Sequence, residues 1–319
     1  RRRRRQQQQG QVQGGLPAFV FGPSGRPASM PPPWPLNGGS PSSAPPGLAG
    51  CAAAAARACR RCLSLLLVFV LVPPRLLLMT LAEVLAFLAC WAATAGQALG
   101  APLPHARRRL VELVVPPCCR AVLLSVGFWR IRTSGQKPGC PLCVANHVSI
   151  VDGFVLYWLL GPGVSFVARS EDLAGLPLYG RILAALQTVF VDRGDAASRR
   201  RAGEVIAARA RGPGSRALVV FPEGTTDGGQ ELLPFKLGAF QPLEPVGLVA
   251  LRYPSASFRA AGSLLQEVLT IAGLLTSVAN SVEVAFLGTL LPPEGGDAAA
   301  FAAAARQAIQ DHLSHGKTA

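Results

Sequence analysis

The hydrophobic positions of this chain form two different patterns. Between residues 62 and 95 the chain is almost entirely apolar, and Arg75 and Glu83 carry the charges of this run. Beyond residue 140 the apolar runs become short and alternate with segments of helical periodicity. A long apolar run is typical of a membrane segment or a buried helix, whereas the alternation is typical of an α/β domain.

The alternating part predicts a largely parallel central sheet flanked by helices, and therefore an α/β fold. The predicted strands are 142–146, 164–168, 188–192, 217–221 and 246–252, and the predicted helices lie near 150–160, 177–187 and 196–211. Ligands of such sheets bind beyond the carboxyl ends of the strands. The residues that follow each strand are therefore the first candidates for a functional site.

Pro73 and Pro74 divide the apolar run 62–95. The piece before them would be about 16 Å long as a helix, which is about half of a bilayer core. The piece after them is long enough to span, but Glu83 would be costly at mid-bilayer. We therefore predict an N-terminal hydrophobic membrane hairpin, hinged at the prolines, that enters one leaflet. A single spanning helix and a buried core hairpin are the alternatives.

The chain is predicted to have three parts. Residues 1–55, rich in Arg, Gln, Gly, Pro and Ser, are expected to form a disordered basic arm. Residues 56–132 hold the hairpin and an amphipathic connecting helix with a basic cluster and Trp129. Residues 133–319 form the α/β domain. Within it, the apolar segment 262–279 contains Gln266 and Glu267 and is expected to be an amphipathic helix packed on the domain.

The net charge of +14 is concentrated near the N-terminus, because residues 1–82 contain ten Arg and no acidic residue. Such a segment beside an apolar run suits anionic lipid headgroups. Nucleic acid is not expected, because aromatic residues are not interleaved with the arginines; an RNA-binding protein is kept as an alternative. The eight Cys lack the spacing of a disulfide scaffold, and the lone Cys140 and Cys143 pair predicts buried thiols rather than a metal site.

Asn146 and His147 follow the first predicted strand, and Asp152 comes five residues after the His. If His147 lies in the turn and Asp152 in the first turn of the next helix, the carboxylate can reach the imidazole. It would then hold the tautomer and stabilise the imidazolium that forms when the His takes a proton. The pair is predicted to be a general base and its orienting group. A helix-capping Asp beside a structural His is the alternative reading.

Two more predicted strands end in polar residues. Arg193 follows strand 188–192, and its planar guanidinium suits the oxygens of a phosphate. Glu223, Gly224 and Thr225 follow strand 217–221. Glu223 could accept a hydrogen bond from a hydroxyl, and Gly224 would let the backbone approach a ligand closely. We expect these groups to meet His147 in one crevice.

Four of these segments resemble, in order, the sequence blocks of glycerolipid acyltransferases of the bacterial 1-acylglycerol-3-phosphate acyltransferase superfamily. They are NHVSIVD (146–152), VFVDR (189–193), FPEGTT (221–226) and EPVGLVALRYP (244–254). Three more segments look like the lysophosphatidylcholine and plant-type lysophosphatidylethanolamine acyltransferases. They are FVARSEDLAGLPLYGRI (166–182), LLPFKLGAF (232–240) and NSVEVAFL (280–287).

The resemblance implies transfer of a fatty acyl group from acyl-CoA to the free hydroxyl of a lysophospholipid, with lysophosphatidylcholine or lysophosphatidylethanolamine as the expected acceptor. His147 would be the base and Asp152 its orienting group. The residues implied to bind substrate are Asn146, Arg193, Glu223, Gly224, Thr225 and Lys236. No metal or other cofactor is implied beyond acyl-CoA as co-substrate. The expected partners are acyl-CoA, the lysophospholipid and membrane lipids.

The expected location is the endoplasmic reticulum membrane, with the active site facing the cytosol and a plastid as the alternative. Two other functions stay open. Within the enzyme class, the acceptor could be lysophosphatidic acid or glycerol 3-phosphate, since Asp227 stands where close relatives often carry Asn. From another class, the chain could be a catalytically silent membrane adaptor. The presence of His147, Asp152, Arg193 and Glu223 argues against the adaptor.

Overall fold

The protein is described here by a computed structural model. It describes residues 48–98, 100–169, 177–212, 217–226, 228–229, 231–254 and 264–315. The chain divides into two compact units, Arg1–Ala55 and Ala56–Ala319. The sheet described below belongs to the second unit. Residues 1–47 of the predicted disordered arm, 1–55, lie outside the described residues.

The described residues form seven strands and seven α-helices. The strands are β1 Arg130–Ser134, β2 Leu142–Ala145, β3 Ser165–Arg169, β4 Val189–Val191, β5 Leu218–Val220, β6 Val246–Arg252 and β7 Ser281–Leu290. The helices are α1 Leu48–Thr94, α2 His105–Ser125, α3 Val151–Leu160, α4 Pro177–Ala185, α5 Ala196–Arg211, α6 Leu264–Thr276 and α7 Ala298–His315.

One seven-stranded sheet organises the domain, in the order β1-β7-β6-β2-β5-β3-β4. Neighbouring strands are parallel except β6 and β7, which are antiparallel. The prediction of a largely parallel sheet flanked by helices is therefore confirmed. The five predicted strands correspond to β2 to β6 within one residue at each end, because buried parallel strands produce the short apolar runs that were recognised.

The sheet is covered by helices on both faces, and the residues of β2 alternate between them. Leu142 and Val144 join a core formed with α5 and α7, whereas Cys143 and Ala145 join a core formed with α1, α2, α3 and α6. We call these the α5/α7 face and the α1/α6 face. The predicted helix within 262–279 is present as α6, and its Leu274 and Leu275 pack in the second core.

The predicted hinge at Pro73 and Pro74 is wrong, because α1 runs through both prolines as one helix. Its start at Leu48 also lies inside the predicted arm, since the run of Ala residues that follows has the strongest helix propensity. Helices α1 and α2 pack on each other as a helical hairpin, which differs from the one predicted at the prolines. Ala82 of α1 packs with Cys118 and Val122 of α2.

The predicted connecting helix 105–132 is too long. Helix α2 ends at Ser125, and residues 130–134 form β1, so the predicted domain boundary at 132/133 falls inside a strand. Gly127 makes the turn with a φ of +85°, which favours glycine. Strand β1 pairs with β7, about 150 residues later, and Arg130 lies opposite Ser281. The apolar pattern near residue 130 does not indicate a strand that pairs with such a distant segment.

Helix α1 presents small residues to the domain and large residues outward. In the segment Val68–Thr94 of α1, the buried residues are Arg75, Ala82, Ala86, Ala89, Cys90, Ala93 and Thr94. Its exposed large residues there include Leu77, Leu81, Val84, Leu85, Leu88 and Trp91. The segment Val68–Thr94 is 27 residues long and, by length and composition, could cross a bilayer, as some core helices of soluble proteins also could.

Both charged residues of the segment Val68–Thr94, Arg75 and Glu83, form hydrogen bonds with the rest of the domain. The Arg75 guanidinium donates to the carbonyl oxygens of Leu275, Ser277 and Val278 at the end of α6. The Glu83 carboxylate accepts a hydrogen bond from the Tyr179 hydroxyl of α4 at 2.7 Å. Burial and this bond to Glu83 raise the pKa of Tyr179. Charges that looked costly in the sequence are therefore satisfied on the protein side.

Candidate active site

His147 and Asp152 are in direct contact at the carboxyl end of β2. Asp152 lies in the first turn of α3 and is fully buried. Its Oδ2 is 2.9 Å from His147 Nδ1, and the backbone N–H groups of Val148 and Ser149 donate to the same oxygen at 2.6 and 3.0 Å. The contact engages Nδ1, which leaves Nε2 as the ring nitrogen that can take a proton.

The second oxygen of Asp152 also has a donor. The hydroxyl of Tyr253, the residue after β6, donates to Asp152 Oδ1. Burial, and then the proximity of the Asp152 carboxylate, raise the pKa of Tyr253, so this hydroxyl keeps its proton and acts as a donor. Four donors and the N-terminal end of α3 therefore hold the carboxylate in one orientation.

Glu223 fixes the backbone around His147. It is 3% exposed, and its Oε1 accepts the His147 N–H at 2.7 Å while its Oε2 accepts the Leu233 N–H at 2.9 Å. On the other side of that loop, Arg306 of α7 donates to the carbonyl oxygens of Leu232 and Leu233. A chain of hydrogen bonds thus runs from α7 through Glu223 to the backbone of the proposed base.

Two further contacts hold the region of His147, one at its ring and one at the preceding residue. The imidazole stacks on the ring of Phe221, with centroids 4.0 Å apart and planes 14° from parallel. Asn146 is 4% exposed, and its amide exchanges two hydrogen bonds with the backbone of Leu251 in β6. The described contacts of Asn146 and Glu223 are thus with the protein, so their predicted contacts with substrate stay predictions.

Three cationic side chains converge on the turn after β5. Arg193 donates to the Gly224 carbonyl oxygen at 2.6 Å, and Arg169 at the end of β3 lies 3.5 Å from the same oxygen. Gly224 has a φ of +72°, and a Cβ there would be 2.5 Å from Arg193 and 2.6 Å from the Lys236 ammonium. The positive φ favours glycine at this position, and the absence of a Cβ leaves room for the ends of both cationic side chains.

The charges in this cluster repel one another. Partial burial lowers the pKa of Lys236, and the neighbouring Arg193 and then Arg169 lower it further. Thr225, beside the cluster, is exposed. Like charges held this closely favour the binding of an anion, because a bound anion reduces their mutual repulsion.

The order of the strands explains how the site is assembled. Tyr253, His147 and Phe221 follow β6, β2 and β5, which are neighbours, and Arg169 and Arg193 stand at the ends of β3 and β4, which continue the sheet. The structure therefore brings His147, Asp152, Arg193, Gly224 and Lys236 to one edge, as the rule of strand ends predicts. Arg169 and Tyr253 were missed in the sequence, although both stand at the end of a predicted strand.

Comparisons with known proteins agree on one kind of protein. Residues 131–248 match the family model described as Acyltransferase. The chain is 33% identical over 197 residues to lysophospholipid acyltransferase LPEAT2 of Arabidopsis thaliana, covering 60% of this chain and 36% of that protein. It is 33% identical over 235 residues to lysophosphatidylcholine acyltransferase 1 of Danio rerio, covering 70% of this chain and 44% of that protein. The chain thus spans less than half the length of these curated relatives.

A solved structure shares the fold. The 1-acyl-sn-glycerophosphate (LPA) acyltransferase PlsC of Thermotoga maritima superposes with a TM-score of 0.57 over 82% of this chain and 98% of that chain. Its sequence identity is 17%, so the likeness shows the fold alone. The range that matches the family model contains His147, Asp152, Arg193 and Lys236, whereas Tyr253 lies just beyond it.

Proposed function

We propose that this chain transfers a fatty acyl group from acyl-CoA to the free hydroxyl of a lysophospholipid, and its match to the Acyltransferase family model over residues 131–248 supports the proposal. The observation that carries the proposal is the contact between His147 Nδ1 and Asp152 Oδ2 at the ligand-binding edge of the sheet. The relatives support a lysophospholipid as the acceptor of the acyl group, since their names describe lysophospholipid and lysophosphatidylcholine acyltransferases. No cofactor beyond acyl-CoA is needed for this chemistry.

In the proposed reaction His147 Nε2 takes the proton of the acceptor hydroxyl. The oxygen attacks the thioester carbonyl, an ester C–O bond forms, and the C–S bond breaks as the tetrahedral intermediate collapses. The CoA thiolate leaves and receives the proton from the imidazolium, so the base is restored. Asp152 stabilises the imidazolium while it exists, and its four donors keep the carboxylate aligned with the ring.

The cluster of Arg169, Arg193 and Lys236 is the proposed site for the phosphate of the acceptor. Guanidinium groups bind phosphate oxygens in pairs, and the Lys236 ammonium adds a third positive charge. Gly224 lets the cations approach, and Thr225, which is exposed beside them, is the proposed contact for the glycerol part. Lysophosphatidylcholine and lysophosphatidylethanolamine both carry this phosphate, so the cluster suits either one. Lysophosphatidic acid is the second candidate acceptor.

We place the domain on a membrane through the outer face of α1. To cross the bilayer as a single helix, α1 would have to separate from the rest of the domain. The hydrogen bonds of Arg75 to α6 and of Glu83 to α4 oppose this separation. The large apolar residues on the opposite side of α1 suit an orientation along the membrane surface, with that side in the lipid. The described Cys residues are free thiols, which supports a site facing the reducing cytosol, as at the endoplasmic reticulum.

The test is incorporation of labelled oleoyl-CoA into lysophospholipids that differ in head group alone. Membranes carrying the wild type are compared with membranes carrying His147→Ala and His312→Ala, the second being an exposed His of α7. Transfer that needs His147 but not His312 supports the proposal, and the preferred head group identifies the acceptor. Absence of transfer to every acceptor by a folded, membrane-bound wild type would instead favour a silent adaptor.

A further inference from the structure

The two faces of the sheet differ in the apolar side chains that they expose. On the helices of the α5/α7 face, including the short 3-10 helix Leu237–Ala239, the exposed large apolar residues among those described are Val205 and Leu237. The α1/α6 face exposes many, and they are not confined to α1. Helix α6 contributes Leu265, Val268 and Leu269, and Val278 follows it. A soluble helix that packs on a sheet would carry polar residues at these positions.

Helix α6 is apolar on two sides. Leu274 and Leu275 are buried in the core of the domain, whereas Leu265, Val268 and Leu269 are 66%, 54% and 44% exposed. Val268 and Leu269 come three and four positions after Leu265, so these three residues form a stripe on one side of the first turns of the helix. Large exposed apolar surfaces of this kind mark contact with another apolar phase.

The C-terminal end of α6, followed by the exposed Val278, is held against α1. Arg75, buried in α1, donates to three carbonyl oxygens at the end of α6, so the two helices are held together at this point. Trp129 stands beside the contact, with Arg75 6.0 Å from its ring centroid and its indole N–H donating to the Val278 carbonyl oxygen. The Trp side chain is more than half exposed, as tryptophans at a membrane interface commonly are.

This junction lies at the edge of the sheet that carries the candidate active site. Strand β7 runs antiparallel to β6, so Glu283 near its start lies opposite Arg252 at the end of β6. Strand β1 begins beside Ser281, which places Trp129 at the same edge. His147 and Tyr253 follow β2 and β6 at that edge. A lipid surface here would be adjacent to the site where an acceptor lipid must enter.

We propose that α6 and Trp129 form a second membrane contact of this protein, in which the outer stripe of α6 enters the headgroup and upper acyl region of a phospholipid bilayer. The proposal rests on the membrane placement of α1 given above and extends it to the catalytic domain. Arg75 joins the two contacts, so that the domain is held with its active-site edge toward the lipid. A monoacyl lipid could then reach His147 without passing through water.

The experiment uses a photo-crosslinking phenylalanine analogue at one position of the full chain, bound to vesicles of phosphatidylcholine and phosphatidylserine with a clickable acyl chain. The positions are Val268 on α6, Leu85 on α1 and Val205 on α5. All three are exposed, so the substitution does not disturb the core, and Val205 is a matched control on the opposite face. Lipid adducts are measured after illumination.

We expect several-fold more lipid adduct at positions 268 and 85 than at 205. An adduct at 85 without one at 268 would overturn the second contact while leaving the membrane placement of α1 intact. Adducts at neither position would overturn both. Equal labelling at 268 and 205, or a protein–protein adduct at 268 in place of a lipid adduct, would also overturn the proposal.

The role of Arg75 is tested separately with Arg75→Lys, which keeps the charge but cannot reach three carbonyl oxygens with a planar fork. We expect faster amide hydrogen exchange in the last turn of α6 and less lipid adduct at 268, with labelling at 85 retained. Undiminished labelling at 268 despite faster exchange would show that the α6 contact does not depend on this link.

Discussion

The two halves of the candidate site are built in opposite ways. In the base half, His147, Asp152 and Tyr253 form a closed set of hydrogen bonds that is complete without substrate. In the anion half, Arg169 and Arg193 approach one carbonyl oxygen with Lys236 beside them, and their positive charges repel one another. The first half is organised by its own contacts, whereas the second gains stability when an anion arrives.

This difference suggests a division of labour. A base must have the correct tautomer and direction before the substrate binds, so its orientation is best fixed by the protein. A phosphate site benefits from several positive charges held close together, because a bound phosphate reduces their mutual repulsion. Substitutions in the base half should therefore reduce kcat, and substitutions in the anion half should raise the KM of the acceptor.

The largest effect is expected for the base itself. His147→Gln should lower kcat at least about 10²-fold, because the acceptor hydroxyl loses the group that takes its proton. The KM of the lysophospholipid should change little, since the cationic cluster is untouched. Steady-state kinetics on purified protein in vesicles, with His312→Gln as control, checks this split. A loss that appears in KM alone would contradict the assignment of the two halves.

The second effect concerns the anion half. Arg193→Gln should raise the KM of the acceptor about 10-fold or more, as expected for loss of a hydrogen bond between charged groups. The KM of acyl-CoA and kcat should change less. Arg200→Gln, an exposed position on α5, is the control for a simple loss of positive charge. A similar KM increase in both variants would point to general attraction of anionic lipid instead of a phosphate site.

A smaller effect is expected for Tyr253, which acts through Asp152. Tyr253→Phe should lower kcat by about 3- to 10-fold with little change in either KM, because one donor of the carboxylate is lost. Tyr179→Phe is a matched control, since this tyrosine also donates to a carboxylate but at Glu83. If both variants lose thermal stability but neither loses kcat, Tyr253 has a structural role alone.

The smallest effect is a shift in pH dependence. The lowered pKa of Lys236 means that it loses its proton at a lower pH than an ordinary lysine, so the acceptor KM should begin to rise there. In Arg193→Gln one repelling charge is gone and the pKa of Lys236 rises. The increase in KM should then begin at a higher pH, although KM is larger throughout. A shift toward lower pH would contradict the proposed repulsion.

The sequence alone predicted the elements whose signal is local. The strands β2 to β6 and the helices between them follow from short apolar runs and helical periodicity, and His147, Asp152, Arg193 and Gly224 follow from strand ends. Strand β1 was not predicted, because its partner lies about 150 positions later in the chain. Strand β7 was not predicted either, although it also pairs with the nearer β6. It also placed a hinge at Pro73 and Pro74, where the helix continues.

Most of this fold follows from the burial of both faces of a parallel sheet. Strands buried in this way are short apolar runs, so the sequence pattern indicates where they lie. The tertiary structure decided how the charges are used. Arg75 and Glu83 looked out of place in an apolar run, yet each is paired with a helix far away in the sequence. Tyr253 and Arg169 became candidate site residues in the same way, because contacts between strand ends depend on the strand order, which no local pattern specifies.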